Sequence, residues 1–279
     1  MTNKKVWFIT GASKGLGLSL VNQLLAKGHF VAATSRSRFD LEEAISTATS
    51  HFLPLQMDIV NEESVKEAVS KTIATFGRIN TIVNNAGYGL LGALEELSDS
   101  EARHNFDVNV FGSLNVIRQA LPHLREQQSG HIFNISSIGG YVGEFPGFGI
   151  YCATKFAVTG FTEALATEVK PFGIHATVVL PGYFRTSFLS SVSLLTPKNP
   201  IQDYKSTRAS QEQHQNQIDQ NQPGDPEKGV AAIIAMAEET NPALHLFLGS
   251  DSYAMAKSKA AAVDSELEQW KEVSVSTDF

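Results

Sequence analysis

A glycine-rich turn near the start of the chain constrains its fold more than any other feature. Residues 5–10 form a short apolar run typical of a buried strand, and a helical pattern follows from the turn to about Lys27. Between them lie Gly11, Gly15 and Gly17. Glycine allows a tight turn and close backbone approach, and the N-terminus of the next helix offers unpaired N–H groups to an anion. The spacing predicts a pyrophosphate cradle, with an ordinary glycine turn as the alternative.

Apolar strand-like runs and helical patterns then alternate along the chain. The predicted strands after the first lie within residues 30–34, 53–59, 79–87, 130–135, 174–180 and 244–248. The predicted helices cover about 62–76, 100–127, 150–171, 211–222, 226–239 and 252–273, and Asp225 is the expected N-cap before Pro226. This order predicts one α/β domain over residues 1–279, with a doubly wound parallel sheet of Rossmann type and the site at the carboxyl ends of its strands.

Composition excludes several classes of function. No apolar run reaches the roughly 18–20 residues that cross a bilayer, and residues 1–6 lack a signal-peptide pattern, so we expect a cytoplasmic protein without a membrane partner. A net charge of −7 argues against a nucleic-acid partner. The histidines are scattered, so no metal site is expected. Cys152, the single cysteine, is interpreted as a buried structural thiol rather than a nucleophile.

A second motif places a phenol and an amine together. Tyr151 and Lys155 stand four residues apart in a helical pattern, and Ser136 and Ser137 follow a strand-like run. A cation one turn away is expected to lower the tyrosine pKa, for which a shift of about 3 units requires about 4 kcal/mol. A serine hydroxyl facing the same carbonyl oxygen would polarise it. An ordinary helix pair is the alternative interpretation.

The residues after the second strand indicate which dinucleotide the chain binds. In an NAD site an acid usually ends this strand and binds the ribose hydroxyls. Here Ser35 and Arg36 take its place, and Lys14 supplies a second cation for an adenosine 2′-phosphate. The pattern favours NADP(H), with solvated surface charges as the alternative. Asp58 ends the third strand, where it is placed to accept a hydrogen bond from the adenine amino group.

Two asparagines lie in apolar surroundings. Asn109 needs hydrogen-bond partners if buried, and it either holds a water that connects Lys155 to solvent or bonds helix backbone. Asn84 is interpreted as structural. The small residues Ala86 and Gly87 leave room for the adenosine side of the cofactor.

Taken in order, these motifs resemble the short-chain dehydrogenase/reductase family over roughly residues 5–190. The matching pieces are residues 10–17, Asp58, residues 84–87, Asn109, Ser137, residues 151–155 and residues 181–186. The resemblance implies a catalytic tetrad of Asn109, Ser137, Tyr151 and Lys155. It also implies that Thr186 and the backbone near Phe184 hold the nicotinamide carboxamide, and that the helices carrying Asn109 and Tyr151 form a homodimer or homotetramer.

The full set of expected cofactor contacts follows from the motifs and the resemblance together. It comprises Gly11, Ser13, Lys14, Gly15, Leu16, Gly17, Ser35, Arg36, Asp58, Ile59, Asn85, Ala86, Gly87, Tyr151, Lys155, Pro181, Gly182, Phe184 and Thr186. One departure concerns the serine, because the family's usual spacing from the tyrosine falls on Ile138, which has no hydroxyl. A loop longer by one residue assigns the role to Ser137, and Ser136 is the other candidate.

The substrate region is predicted to be apolar. The expected contacts are Tyr141, Phe145, Tyr183, Phe188 and Leu189, although the rings could instead be core contacts. Residues 187–225 form either a lid over the substrate or a polar surface insertion. The chain is thus expected to reduce a hydrophobic ketone or aldehyde with NADPH, or to oxidise the alcohol, as carbonyl reductases and hydroxysteroid or retinol dehydrogenases do. A non-catalytic dinucleotide sensor and an isomerase or dehydratase are the alternatives.

Overall fold

A computed structural model describes residues 4–45 and 49–279. The absence of a signal peptide was predicted from residues 1–6. Residues 1–3 of that stretch lie outside the described part of the chain. The strands are β1 (Val6–Ile9), β2 (Phe30–Ser35), β3 (Phe52–Gln56), β4 (Thr81–Asn84), β5 (Gly89–Leu90), β6 (Gly130–Ile135), β7 (Ile174–Pro181), β8 (Leu194–Leu195) and β9 (His245–Leu248). The α-helices are α1 (Gly15–Ala26), α2 (Arg38–Ala44), α3 (Glu62–Phe76), α4 (Asp99–Phe106), α5 (Gly112–Gln127), α6 (Gly149–Val169), α7 (Lys205–Glu212), α8 (Pro226–Met236), α9 (Ser250–Gln269) and α10 (Lys271–Val275).

The main sheet is parallel and has seven strands in the order β3-β2-β1-β4-β6-β7-β9. The chain runs outward from β1 to β3, and then returns to pair β4 with the other edge of β1. This reversal opens a crevice beyond the carboxyl ends of β1 and β4, where ligands bind in sheets of this topology. The predicted doubly wound Rossmann-type fold is confirmed.

Helices cover both faces of the sheet because successive strand side chains point in opposite directions. Phe8 of β1 packs in the core that includes residues of α3, α5 and α6, whereas its neighbours Trp7 and Ile9 pack in the core on the α1 and α8 side. All three side chains are fully buried. The continuous apolar run of β1 is therefore explained by burial on both faces.

Several helix ends carry the caps that their sequences encode. The Asn61 side chain accepts hydrogen bonds from the backbone of Glu63 and Ser64 at the start of α3. Asp225 caps α8 in the same way, with Pro226 at the first helical position, as predicted. The C-terminal helical prediction also holds in part, since the observed helix begins at Ser250 and breaks at Trp270.

Some elements differ from the prediction. α2, β5 and β8 were not predicted, and β5 pairs with β8 in a separate parallel sheet of two strands. The predicted helix over 100–127 contains a π-helical turn, Asp107–Phe111, between α4 and α5. The predicted helix over 211–222 begins earlier and ends earlier, as α7 followed by a π-helical turn, Gln213–Ile218.

Residues 187–225, named the covering segment below, leave the sheet after β7 and return at α8. β8 and α7 lie within this segment. The buried carboxylate of Glu96, in the loop before α4, accepts two hydrogen bonds from the Arg208 guanidinium of α7 at 2.8 and 2.9 Å. The segment is thus anchored to the body of the domain. Within residues 4–45 and 49–279, no helix is both long and apolar enough to span a bilayer.

Candidate active site

One large cavity of about 1030 Å³ lies at the carboxyl ends of the central strands. The glycine-rich turn and the end of β2 line one part of it, and the residues after β6 and β7 line another. The covering segment contributes Ser187, Phe188, Leu189, Val192, Ser193, Leu195 and His214. This contribution favours a lid over a polar surface insertion, while a closing movement stays a prediction. The name central cavity is used below for this space.

The glycine-rich turn is shaped by close backbone contacts. Gly11 has a φ of +63°, and a Cβ there would come within 2.8 Å of the Ala86 Cα atom. A Cβ on Gly17 would come within 2.5 Å of the Gly11 carbonyl oxygen. The Asn85 side-chain amide ties the turn to β4 by donating to the carbonyls of Thr10 and Gly11 at 3.0 and 2.9 Å. These contacts leave no space for a side chain at Gly11 or Gly17, and they fix the backbone of the turn at the edge of the central cavity.

Most of the predicted dinucleotide contacts line the central cavity. They are Gly11, Ser13, Lys14, Gly15, Leu16, Ser35, Arg36, Asp58, Ile59, Asn85, Ala86, Gly87, Tyr151, Lys155, Pro181, Gly182, Phe184 and Thr186. Gly17 does not line it, because this residue is buried behind the turn against Gly11. Its predicted role as a direct contact is therefore corrected to close packing within the turn.

Two cations meet at the end of the central cavity beside β2. Burial and the nearby Arg36 guanidinium lower the pKa of Lys14 below its ordinary value. The Lys14 ammonium also donates to the Ser193 hydroxyl of the covering segment at 2.7 Å. Ser35, the last residue of β2, has no acidic side chain, and its hydroxyl donates to the Ser13 hydroxyl at 3.3 Å. Lys14 and Arg36 make this end of the cavity suited to an anionic group, although Asp40 and Glu43 of the adjoining helix α2 also line the cavity.

The two adjacent serines after β6 have different surroundings. Ser136 is buried, and its hydroxyl donates to the Lys155 carbonyl at 2.9 Å. The proton of this hydroxyl is therefore already bonded to helix α6. Ser137 begins a short 3₁₀ turn, and its Oγ accepts a hydrogen bond from the Gly139 N–H at 3.0 Å. A Cβ built on Gly139 would lie 3.4 Å from Ser137 Oγ and 3.7 Å from Tyr151 Cε1. Ser137 is therefore the serine that lies beside the tyrosine.

Tyr151 and Lys155 are both buried on α6. Lys155 Nζ lies 5.8 Å from the centre of the Tyr151 ring and donates to the Ile135 carbonyl at 2.9 Å. Burial raises the pKa of Tyr151 above its ordinary value, and the hydrogen bond with Ser137 offsets only part of this. Burial also lowers the pKa of Lys155 to about 8. The predicted lowering of the Tyr151 pKa by Lys155 is thus wrong for this structure, because burial of the phenol dominates.

Asn109 lies in the π-helical turn and bonds outside its own helix. Its Nδ2 donates to the Tyr88 carbonyl at 3.0 Å and to the Thr154 hydroxyl at 3.1 Å, and its Oδ1 accepts from the Tyr88 N–H at 3.0 Å. The predicted alternative of bonding to helix backbone is therefore not found. A Cβ on Gly87 would lie 3.0 Å from Asn109 Oδ1 and 3.6 Å from Lys155 Nζ. Gly87 consequently lies at the Lys155 end of the cavity rather than at the adenosine end.

Asn84 has the structural role that was predicted. Its Nδ2 donates to the Asn134 Oδ1 atom at 2.8 Å, and Asn134 in turn donates to the Thr162 hydroxyl at 2.9 Å. All three side chains are buried. They join β4 and β6 to α6 below the cavity.

The loop after β7 lines the cavity with Gly182, Tyr183, Phe184 and Thr186. The Asp251 carboxylate at the start of α9 accepts from the Tyr183 N–H at 2.7 Å and would contact any side chain at Gly182. Thr186 lies against Gly15 of the glycine-rich turn. Arg185 bonds the Gln222 carbonyl of the covering segment and does not line the cavity.

The predicted substrate contacts divide into two groups. Phe145, Tyr183, Phe188 and Leu189 line the central cavity. Tyr141 does not, because its ring packs edge-on against Phe247 of β9 with a centroid distance of 5.3 Å. The assignment of Tyr141 as a substrate contact is therefore wrong. Tyr141 packs against the edge strand β9 instead.

A tyrosine and a histidine form a polar contact in this otherwise apolar wall. His214 Nδ1 lies 2.7 Å from the Ser210 carbonyl, so this nitrogen carries a proton and Nε2 accepts from the Tyr183 hydroxyl at 2.9 Å. Burial lowers the pKa of His214. No sequence signal singled out this histidine, since it lies in a glutamine-rich polar segment.

Other cavity residues were also missed by the sequence analysis. They include Asp40, Glu43, Tyr88, His104, Val108, Phe148, Cys152 and Val192. Asp40 and Glu43 come from α2, and the sequence signal for this helix is its N-cap residue Ser37. Cys152 is buried as predicted, and burial raises its pKa to about 11.

Comparison with known proteins identifies a family that shares this arrangement. A family model described as short chain dehydrogenase matches residues 5–194. Oxidoreductase BOA17 of Botryotinia fuckeliana is 34% identical over 275 residues, which cover 98% of this chain and 99% of that protein. The 3-ketodihydrosphingosine reductase of Bacteroides thetaiotaomicron is 36% identical over 252 residues, with 88% of each chain covered.

Solved structures agree with the sequence comparison. A short-chain dehydrogenase from Streptomyces avermitilis superposes with a TM-score of 0.90 at 34% identity, covering 99% of this chain and 100% of that one. A short chain dehydrogenase from Burkholderia cenocepacia, solved in complex with NADP, has a TM-score of 0.73 at 28% identity and covers 96% and 97%. With its sequence and its fold both matched over nearly their whole length, this chain belongs to the short-chain dehydrogenase family of oxidoreductases.

Proposed function

We propose that the chain is an NADPH-dependent reductase of hydrophobic ketones or aldehydes, which also oxidises the corresponding alcohols. The observation that carries the proposal is the location of Ser137, Tyr151 and Lys155 at one end of a cavity whose other end holds Lys14 and Arg36. The cavity thus joins a site for proton transfer to a site for a phosphorylated dinucleotide. Residues 1–279 would act as one catalytic domain.

The residues present fit NADP(H). The glycine-rich turn has no space for a Cβ at Gly11 or Gly17, which suits the close approach of a pyrophosphate. Lys14 and Arg36 would hold the 2′-phosphate at the end of the cavity where Ser35 replaces the acid of an NAD site. The NADP-bound Burkholderia cenocepacia structure supports the same choice.

The chemistry divides between the cofactor and the chain. Bound NADPH supplies the hydride. The Tyr151 phenol is the proton source in the cavity wall and would give its proton to the substrate carbonyl oxygen, although burial raises its pKa and weakens it as an acid. The Ser137 hydroxyl would donate to the same oxygen, and Lys155 would bind the nicotinamide ribose. Asn109 holds the Tyr88 backbone beside Lys155, and its predicted water relay stays a proposal.

The cavity wall supports a substrate with apolar surface next to its carbonyl group. Phe145, Phe148, Phe188 and Leu189 surround the space in front of Tyr151. A relative that covers most of this chain is named as a reductase of 3-ketodihydrosphingosine, a carbonyl compound. We therefore expect aliphatic and ring ketones of low polarity to react better than small charged carbonyl compounds.

The direct test is to mix the purified chain with NADPH and a panel of apolar and charged ketones and aldehydes. The proposal predicts loss of the absorbance of the reduced nicotinamide together with an equal amount of alcohol product. Tight NADPH binding without turnover of any member of the panel would favour the non-catalytic sensor. Conversion of a hydroxy compound with no net change in nicotinamide would favour an isomerase or dehydratase.

A further inference from the structure

The C-terminal helix carries an apolar stripe that extends beyond the body of the domain. The first turns of α9 pack on the sheet, where the buried Ser252 hydroxyl donates to the Leu180 carbonyl at 2.8 Å. From residue 260 to residue 279 every side chain is exposed. A helix of 20 residues is about 30 Å long, so its second half projects into solvent. Helices of this kind are stabilised mainly by packing of an apolar face.

The apolar residues of this helix follow a heptad pattern, named the C-terminal stripe here. Its members are Tyr253, Ala256, Ala260, Val263, Leu267 and Trp270, with alternating steps of three and four residues. These are the a and d positions of a coiled coil. Tyr253, Leu267 and Trp270 are 64%, 60% and 57% exposed, which is unusual for large apolar side chains in one row. The pattern indicates a surface that packs against another helix.

Charged residues flank the stripe with opposite signs in its two halves. Lys257 and Lys259 lie in the first half, and Asp264 and Glu266 lie in the second half. The Lys259 ammonium also lies 3.9 Å from the Glu144 carboxylate of its own chain, so a second copy would share it. The two lysines and the two flanking carboxylates of the helix occupy the e and g positions, which form ion pairs between helices in a coiled coil. An antiparallel partner of identical sequence would place its acidic half against the basic half of this helix. The charges are therefore complementary to a second copy of the same helix.

We propose that α9 pairs with α9 of a second copy of this chain in an antiparallel coiled coil. One register places the apolar residues of the stripe opposite each other and the lysines opposite the carboxylates. In that register the stripe pairs are Tyr253 with Trp270, Ala256 with Leu267 and Ala260 with Val263 of the second copy, each formed twice. The flanking pairs are Lys257 with Asp264 and Lys259 with Glu266 of the second copy.

Packing favours this arrangement over a parallel pair. A parallel pair could also join Lys259 to Asp264, so charge alone does not decide the direction. In a parallel pair, however, Ala256 would face Ala256 at one end and Trp270 would face Trp270 at the other. The antiparallel register instead places a larger side chain opposite each alanine, which fills the seam evenly. The surface is also separate from the α5 and α6 face that the family resemblance predicts for assembly.

Cysteine cross-linking tests both the contact and its direction. Chains carrying Ala260→Cys are mixed with chains carrying Val263→Cys, oxidised, and separated by denaturing electrophoresis without reductant. The proposal predicts disulfide-linked dimers in the mixture and few in either variant alone, because residue 260 faces residue 263 of the second copy. The native Cys152 is buried, so the unmodified chain supplies the baseline.

A matched pair on the outer face of the helix provides the control. Ser258→Cys and Ser265→Cys have the same axial alignment but occupy positions that point away from the seam, so their mixture should not cross-link. Cross-linking of Ala260→Cys or Val263→Cys alone at the rate of the mixture would indicate a parallel pair and overturn the proposal. The absence of cross-linking in every mixture would overturn it as well.

Charge exchange provides a second measurement. The double variants Lys257→Glu with Lys259→Glu, and Asp264→Lys with Glu266→Lys, should each self-associate about tenfold or more weakly in sedimentation analysis, because like charges then face each other. Mixing the two variants should restore association, whereas an effect on folding would persist in the mixture. Unchanged association of both variants would contradict the proposed seam.

Discussion

Ser136 and Ser137 are adjacent in the chain but serve different purposes. The Ser136 hydroxyl bonds the Lys155 carbonyl and lies 3.2 Å from the Thr159 hydroxyl, whereas Ser137 lies beside Tyr151 in the central cavity. The backbone stays extended at Ser137, just after the end of β6, and successive side chains of extended backbone point in opposite directions. Both serines border the cavity, and a shift of one residue along the chain decides which of them lies beside Tyr151.

Replacing each serine separates these roles. Ser137→Ala should lower turnover about 10²-fold or more, the usual effect of removing a donor to a developing oxyanion, with stability little changed. Ser136→Ala should instead lower the free energy of unfolding by about 1–3 kcal/mol, because buried partners are left unpaired. Steady-state kinetics and urea denaturation check the two outcomes. The reverse pattern would assign the substrate contact to Ser136.

Arg36 is predicted to determine the preference for NADPH. Arg36→Asp should raise the KM for NADPH about tenfold or more, because a hydrogen bond to a charged group is worth about 1.5–3 kcal/mol. The KM for NADH should change much less. Arg38→Asp is the matched control, since Arg38 is exposed and pairs with Glu42 at 2.7 Å outside the cavity. An unaltered ratio of the two KM values in Arg36→Asp would remove Arg36 from the phosphate site.

At the scale of elements, the sequence predicts the main sheet well and the short pieces poorly. The inner strands are buried and appear as continuous apolar runs, and the half-buried edge strands β3 and β9 are still mainly apolar. α3 has the predicted bounds, Glu62–Phe76. β5 and β8 have two residues each and are paired across about a hundred residues, so neither has a periodic signal. The π-helical turn around Asn109 is likewise invisible, because it keeps the helical pattern.

Within the candidate site, too, some residues could be predicted from the sequence and others could not. Residues fixed by glycine turns, strand ends or helix periodicity, such as Gly11, Asp58 and Tyr151 respectively, reach the central cavity as predicted. Residues whose direction depends on a loop do not follow from sequence. Tyr141 turns toward Phe247, and His214 reaches the cavity from the covering segment. Tertiary packing, which the local pattern does not record, decides both directions.

A buried ion pair is one of the contacts that hold the covering segment on the domain. The Glu96 carboxylate is fully buried, accepts from the Ala93 and Ile201 N–H groups, and binds Arg208 of α7. Glu96→Gln should lower the free energy of opening of α7 by about 1–3 kcal/mol, because the amide replaces a charged acceptor. Faster amide hydrogen exchange in α7 would check this.

Glu95→Gln is the control for this variant. Glu95 is the adjacent carboxylate and accepts from the Tyr204 hydroxyl at the exposed surface. Its replacement should leave hydrogen exchange in α7 nearly unchanged. Equal exchange rates in Glu96→Gln and in the unmodified chain would show that the buried pair does not hold the segment.

At the scale of the whole molecule, His131 links stability to pH. This β6 residue is buried, bonds Thr177 at 2.9 Å, and has a pKa that burial lowers to about 3. The unfolded chain protonates it near pH 6.5, so below that pH the unfolded state binds more protons and stability falls. From pH 7 to pH 5 the loss from this group is about 2 kcal/mol. Urea denaturation at the two pH values measures it.

His131→Gln should reduce this pH dependence, although it also lowers stability at pH 7. His175→Gln is the control, because His175 lies on the neighbouring strand β7 and is exposed. The His175 side chain also lowers the pKa of His131, but burial is the larger cause, so this variant should keep most of the slope between pH 7 and pH 5. An identical slope in the His131→Gln variant would mean that this histidine is not held neutral by the fold.

The central claim, that the Tyr151 phenol delivers the proton during carbonyl reduction, is tested most directly by comparing Tyr151→Phe with Tyr141→Phe. Both changes remove one phenol oxygen from the same loop and helix region, but only Tyr151 lines the cavity. The account predicts that Tyr151→Phe retains NADPH binding and loses at least about 10²-fold in turnover, while Tyr141→Phe keeps its turnover. Full turnover by Tyr151→Phe with intact NADPH binding would contradict it.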